Sequence, residues 1–262
     1  MKSKLSIFII ISILVLSLCG CSQTEETVIT YTPNSETQQA DTFFDTNNID
    51  ELKKLCAVMS INSESPEARD NFFNYMLVKL DDIIENKKED KYEMSITILG
   101  TCLKLPLAQN IVVNTMEQQY HTLDDILTEK TKEYIIGTWK TGDDEASQYT
   151  IEIKNSDTGI AAYITSVPEN SKFSIGDTKW TGIHFANHKK FFLSDLTIEK
   201  SSISSYDDID NHVQVYSGAT ADISFDTNTI VISYEKGDAN NGYNSVWKKV
   251  VPDFASDAQA NN

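Results

Sequence analysis

Apolar positions return along this chain with two different periods. Between Asn48 and Tyr134 they recur every three to four residues, as on one face of a helix; from Ile135 onward they alternate, as on one face of a strand. In the first part, Asn48 with Glu51 three residues on offers a capping-box-like start for a helix through Leu55, Cys56 and Met59. Ser65-Pro66-Glu67 opens a second helix, with a capping hydroxyl, a proline at the first helical position and an acid in the first turn. Phe73, Met76, Leu77, Leu80, Ile83 and Ile84 then follow at helical spacing. A third helix carries Tyr92, Ile96, Leu99 and Leu103 on one face and Met94, Ile98, Cys102 and Leu105 beside it. So wide a stripe predicts a central position, and Pro106 closes the helix. The last helical stretch runs from about Leu107 through Val112, Met116, Tyr120, Leu123 and Leu127 to Tyr134, with a break expected near His121-Thr122. Short connections between these elements predict a four-helix or five-helix bundle.

The second part reads as eight strands, near 135–140, 148–154, 159–167, 179–186, 190–199, 213–225, 229–235 and 243–250. Turn residues separate them, among them Asn155-Ser156-Asp157, Ala186-Asn187-His188, Asp226-Thr227-Asn228 and Gly237-Asp238-Ala239-Asn240. Glycine usage marks the same boundary: Gly100 stands alone between Asn48 and Tyr134, whereas eight glycines lie from Gly137 to the end. The expected fold class is α+β, an N-terminal helical bundle followed by an eight-stranded antiparallel up-and-down β-barrel, which closes its own edges. A β-sandwich is the competing arrangement of the same strands.

At Gly137-Thr138-Trp139, at the start of the first strand, the chain resembles the lipocalins and their bacterial lipocalin-like relatives, over about 135–251. The resemblance implies that Trp139 packs across the closed end of the barrel beneath a basic residue of the last strand, Lys248 or Lys249, with Gly137 as part of the same closure. Where many lipocalins carry Thr-Asp-Tyr before the seventh strand, this chain has Asp226-Thr227-Asn228. The aromatic residues Tyr163, Trp180, Tyr216, Tyr234 and Trp247, with Phe191-Phe192, are candidates to line a ligand cavity, and ordinary core packing accounts for the same residues.

The start of the chain has a grammar of its own. Met1-Lys2-Ser3-Lys4 is followed by an apolar run from Leu5 to Leu18 and then Cys19-Gly20-Cys21, the three parts of a secretory leader; the run is too short to span ~30 Å of hydrocarbon comfortably. Leu18-Cys19-Gly20-Cys21 resembles the lipobox of bacterial lipoproteins, with an aliphatic residue at −3, a small one at −1 and the cysteine at +1. Cys19 would place Leu18 at −1, where the pattern wants a small residue, so Cys21 is the expected lipidation site. The resemblance implies a diacylglyceryl thioether on Cys21 and a protein held on the outer, extracytoplasmic face of a bacterial membrane. Ser22 to Asp45 is dominated by Ser, Thr, Gln, Glu, Asp and Asn, which predicts a disordered tether with an r.m.s. span of about 25–30 Å. The expected organisation is thus a leader over 1–20, a lipidated cysteine and tether over 21–45, a helical domain over 46–134, a barrel over 135–251 and a disordered tail over 252–262.

Charge and motifs narrow the function. Of 262 residues, 39 are acidic and 22 basic, a formal net charge of −17, which makes a polyanion such as nucleic acid a poor partner. A hydrophobic fraction of 40% is enough for a core. Gly-x-Ser-x-Gly, His-Glu-x-x-His, a phosphate-cradling glycine loop and Cys-x-x-Cys are all missing, so neither an enzyme nor a cofactor is expected and no catalytic residue is named. Arg69, the only arginine, stands among acids at the start of a helix. His184 and His188, with His212 and Asp210, have the types of a zinc or copper site, but solvated histidines at a hairpin end are the expected reading, and no metal is expected. Asp207-Asp208-Ile209-Asp210-Asn211 begins like a calcium loop, yet Val213 stands where glycine is needed and Ala219 where the bidentate glutamate belongs. Cys56 and Cys102, at apolar helical positions, are either buried thiols or one disulfide joining two helices. The expected function is a non-enzymatic envelope lipoprotein whose barrel binds a small, partly apolar ligand. The alternative is an interaction protein with a filled barrel that engages another envelope protein.

Overall fold

The computed structural model describes residues 29–61, 65–107, 110–142, 148–200, 212–234 and 244–251. Its elements form two compact units that divide between Leu123 and Asp124. Cys21, the run Asp207 to Asn211 with Asp210, the side chain of His212 and the tail over 252–262 lie outside the described residues.

The first unit begins earlier than the sequence pattern predicts. Part of the expected tether is a helix, α1 (Ser35–Asp45), started by a capping box: Asn34 Oδ1 accepts from the Thr37 N–H and Thr37 Oγ1 accepts from the Asn34 N–H, both at 2.9 Å. Thr37, Ala40 and Phe44, three and four residues apart, share its buried face. The residues just before it are also docked. Asn71 is hydrogen-bonded to both the N–H and the C=O of Thr32, Asn74 donates to the Thr30 carbonyl, and Tyr31 packs edge to face on Tyr75 at 5.1 Å. The prediction of a tether through residue 45 is therefore corrected: polar composition hid a helix that needs only three buried side chains to seat it.

The next helices fall where expected. α2 (Ile49–Ile61) buries Leu52, Cys56, Met59 and Ser60; α3 (Pro66–Glu85) buries Phe72, Phe73, Tyr75, Met76, Leu77, Leu80 and Ile83. Ser65 occupies the cap position of α3 without making the expected side-chain cap bond. A 3-10 turn (Glu89–Lys91) leads into α4 (Tyr92–Cys102), seven of whose residues are buried, consistent with its wide apolar stripe. α5 (Asn110–Ile135) is one continuous helix. The expected break at His121-Thr122 is absent: the helix runs on, with the Thr122 hydroxyl turned back onto the Gln118 carbonyl at 2.9 Å. Val112, Met116, Gln119 and Leu123 of its first part are buried, and the Gln119 amide donates to Leu77 O and Asp81 Oδ1.

The second unit takes the last turns of α5, so the division falls inside this helix rather than after Tyr134. Leu127, Thr131 and Ile135, at four-residue spacing, form the buried face there. Eight strands follow: β1 (Gly137–Thr141), β2 (Tyr149–Ser156), β3 (Gly159–Ser166), β4 (Thr178–Asn187), β5 (Lys190–Lys200), β6 (His212–Ser224), β7 (Thr229–Tyr234) and β8 (Ser245–Lys249). Every pairing is antiparallel between chain neighbours, and β8 returns to β1 with Trp139 opposite Lys249 and Thr141 opposite Trp247, so the sheet closes as a barrel. Inward positions alternate along each strand: Trp139; Ile151 and Ile153; Ala162 and Ile164; Phe191 and Leu193; Ala219, Ala221 and Ile223; Ile230 and Ile232; and Trp247 form one core. Gly137 enters β1 at φ +124°, a backbone conformation that L side chains rarely adopt.

Candidate functional site

Strand direction alternates around the barrel, so the ends of β1, β3, β5 and β7 and the starts of β2, β4, β6 and β8 lie together at one end. The opposite end, where α5 joins β1, is closed. Trp139 is fully buried there and its indole N–H donates to the Ile135 carbonyl at 2.8 Å. Lys249 covers it: the ammonium lies 4.0 Å from the Tyr134 ring centroid and 5.6 Å from that of Trp139, and donates to the Tyr134 carbonyl. Of the two candidate basic residues it is Lys249 that lies on these rings, whereas Lys248 is exposed. Burial pulls the Lys249 ammonium below the usual lysine range.

The other end holds the charge. On β5 the inward series Phe191, Leu193, Asp195, Thr197 changes from apolar to polar as the strand approaches that end. Asp195 is only 1% exposed. Its Oδ2 accepts from the Tyr234 hydroxyl, its Oδ1 lies 2.7 Å from Lys179 Nζ, and the Trp180 indole N–H faces the same carboxylate. Burial raises the Asp195 carboxyl above the ordinary carboxylate range despite these three partners, and burial with the neighbouring carboxylate raises the Tyr234 hydroxyl as well. Lys179 also donates to the Leu196 carbonyl and sits 4.9 Å from the Phe173 ring. Beside them Thr197 and Ser217 share a hydroxyl–hydroxyl bond of 3.1 Å, both buried.

The segment between β3 and β4 packs over this end. Phe173 lies against the barrel core and meets Tyr149 edge to face at 5.8 Å. Gln214 of β6 ties the segment down through Lys172 O and Asp177 Oδ2, each at 3.3 Å. Beneath, Trp180 and Trp247 pack edge to face at 5.2 Å, both buried.

Of the five proposed cavity residues, the structure brings three together: Trp180, Tyr234 and Trp247 lie within the barrel core or packed against it. The other two sit apart. Tyr163 is beside Lys154, with the ammonium 4.8 Å from its ring, on the face opposite Ala162 and Ile164; Tyr216 is 52% exposed and bonds the Thr178 carbonyl. Lys179, Asp195 and Phe173 were missed by the aromatic criterion. No sequence signal marked Asp195, because barrel closure decides which parity of β5 faces inward.

His184 and His188 are not brought together as ligands. His184 is exposed on β4, while His188 is buried with Nδ1 2.6 Å from Asp124 Oδ1 and its carbonyl accepting from Thr131. Among the described residues no group of three or more His, Cys, Asp or Glu could hold a metal ion. Arg69 pairs with Asp70 at 3.1 Å.

No protein-family model, no curated protein and no solved structure matches this chain. The fold therefore stands on its own geometry: a closed eight-stranded antiparallel β-barrel, consistent with a lipocalin-like fold, with five α-helices among the described residues.

Proposed function

We propose that this chain is a non-enzymatic lipoprotein of the bacterial cell envelope, anchored through lipid on Cys21, whose barrel binds a small, partly apolar molecule. In finer detail the reading is an up-and-down lipocalin-like barrel behind an N-terminal helical bundle. One observation carries it: a carboxylate and an ammonium are buried beside the apolar core of the barrel, under a strap bearing Phe173. A buried ion pair adds little net stability compared with well-packed hydrophobic residues, so its presence calls for another use. A ligand with an apolar body and one polar group fits that use. The body displaces Phe173 and rests on Trp180 and Trp247, while the polar group exchanges with the Lys179–Asp195 pair. The leader and the lipobox-like Leu18-Cys19-Gly20-Cys21 support the address.

The test is a titration of the purified protein with 1-anilinonaphthalene-8-sulfonate and with N-phenyl-1-naphthylamine, read by dye and tryptophan fluorescence. Saturable binding, weakened at least tenfold in Trp247→Ala with the circular dichroism unchanged, supports the reading. An unchanged tryptophan signal and no saturation overturn it. A second reading, an interaction protein with a filled barrel, is favoured by the close packing of Trp180 on Trp247 and by the Tyr234 and Lys179 side chains that already engage Asp195. It predicts no dye binding and a specific cross-link to another envelope protein on intact cells.

A further inference from the structure

Cys56 lies on the buried face of α2 and Cys102 is the last residue of α4. Both are fully buried and neither is bonded. They are nevertheless neighbours, because α2 packs on α4 and the Cys102 side chain is the largest influence on the Cys56 thiol. Two packed helices have thus brought two buried cysteine side chains together in an apolar core. The chain's cysteine count leaves them no other partner. On the envelope reading, of four cysteines Cys19 departs with the leader and Cys21 has its sulfur consumed as a thioether, which leaves this pair.

We propose that Cys56 and Cys102 are a disulfide-forming pair, closed outside the cytoplasm by a thiol–disulfide exchange oxidant, so that a covalent bond joins α2 to α4. The compartment and the exclusion of Cys19 and Cys21 as partners rest on the envelope reading above, whereas the packing of Cys56 beside Cys102 does not. The chemistry is a two-step exchange. The thiolate of one cysteine attacks a sulfur of the oxidant's disulfide and displaces one thiol; the second cysteine then attacks the mixed disulfide and displaces the other. Two protein thiols and one oxidant disulfide become one protein disulfide and two small thiols. In the folded protein, hydrogen bonding to Cys102 and then burial hold the Cys56 thiol well above its ordinary pKa. Exchange therefore takes place as the helices assemble or open. Once closed and buried, the bond is shielded from reductants.

The experiment uses the full chain expressed from its own leader and purified from membranes. It is denatured and alkylated with and without prior reduction, then mapped by mass spectrometry. The expected result is no free thiol before reduction, a linked pair of peptides holding Cys56 and Cys102, and a mass about 2 Da below the dithiol form, the two hydrogens lost on exchange. Without denaturant, dithiothreitol leaves the bond intact. A second sample is reduced in denaturant, refolded and treated with oxidised glutathione. The link re-forming there while thiols are free in the membrane sample supports the pair and overturns the envelope reading. Two free thiols in both samples overturn the pair itself. The closed form also unfolds at a temperature higher by roughly 10 °C than the reduced form, because the cross-link limits the unfolded chain.

Discussion

Lys179 and Asp195 set the strongest test at the scale of single residues. Both side chains are largely withdrawn from water, 13% and 2% exposed, and face each other at 2.7 Å. Removing one partner strands the other as a buried charge. Lys179→Met is therefore expected to destabilise the barrel by about 3–5 kcal/mol, and the double variant Lys179→Met with Asp195→Leu to recover most of that loss. Urea unfolding of the two variants measures both; equal losses would show that the pair is not coupled. The pH dependence has a fixed sign. The folded Asp195 carboxyl titrates above its unfolded value of 3.8, so the folded state holds the proton more tightly. Its contribution is fully present below 3.8 and is lost as pH rises through the folded pKa. Lys179→Met widens that window and steepens the loss, whereas Asp195→Asn removes it. At the closed end, Trp139→Ala deletes a fully buried indole and its bond to Ile135, with an expected cost of about 3–5 kcal/mol in the same assay.

Among the elements, α1 separates a tether from a folded part of the helical unit. Phe44 is 1% exposed and its carbonyl accepts from Lys91, so Phe44→Ala is expected to cost about 3–5 kcal/mol, whereas in a disordered tether it would cost nothing. Asp41 on the same helix gives a pH signature. Burial alone would raise its carboxyl, but hydrogen bonds from Lys79 and Tyr75 outweigh it and leave the group below 3.8. The stability it contributes is present above 3.8 and lost as pH falls through the folded value, so Asp41→Asn flattens the acid limb of the stability curve. A titration in which both proteins lose stability in parallel below pH 4 would sink this account. α1 was illegible for a physical reason: Ser35-Glu36-Thr37-Gln38-Gln39 has neither strong propensity nor an apolar stripe, and its capping box pairs Asn with Thr rather than Ser or Thr with Glu. The strands were legible because period-two alternation and turn residues are local signals, and all eight fall within a few residues of expectation. The end of the helical unit was not, because a 3.6-residue period says that α5 is a helix and not which turns of it pack on which core. The candidate site was half legible. Aromatic content pointed to Trp180, Tyr234 and Trp247, whereas the Lys179–Asp195 pair depends on which parity faces inward, and only closure of the barrel decides that.

For the whole molecule, the proposed reading places attachment to the membrane on the lipid of Cys21. Among the described residues no helix is long and apolar enough to cross a membrane, and the formal net charge of −17 disfavours an anionic surface. From Ser22 the first basic residue is Lys53, so the segment nearest the proposed anchor offers no cation to the headgroups. One acyl chain gives only marginal binding and two or more give stable anchoring, so attachment through a diacylated Cys21 is indifferent to salt. A washed membrane fraction should therefore keep the protein in high salt and release it only to detergent, and phase separation in a detergent with a low cloud point should place it in the detergent phase. Cys21→Ala should move it entirely to the aqueous phase without altering the circular dichroism of the folded units, while Cys19→Ala should leave it in the detergent phase with its acyl label. Retention of Cys21→Ala in the detergent phase would remove the lipid anchor from the account. Release of the unaltered protein by salt would do the same, because a chain this acidic would then be held by a basic partner rather than by the bilayer.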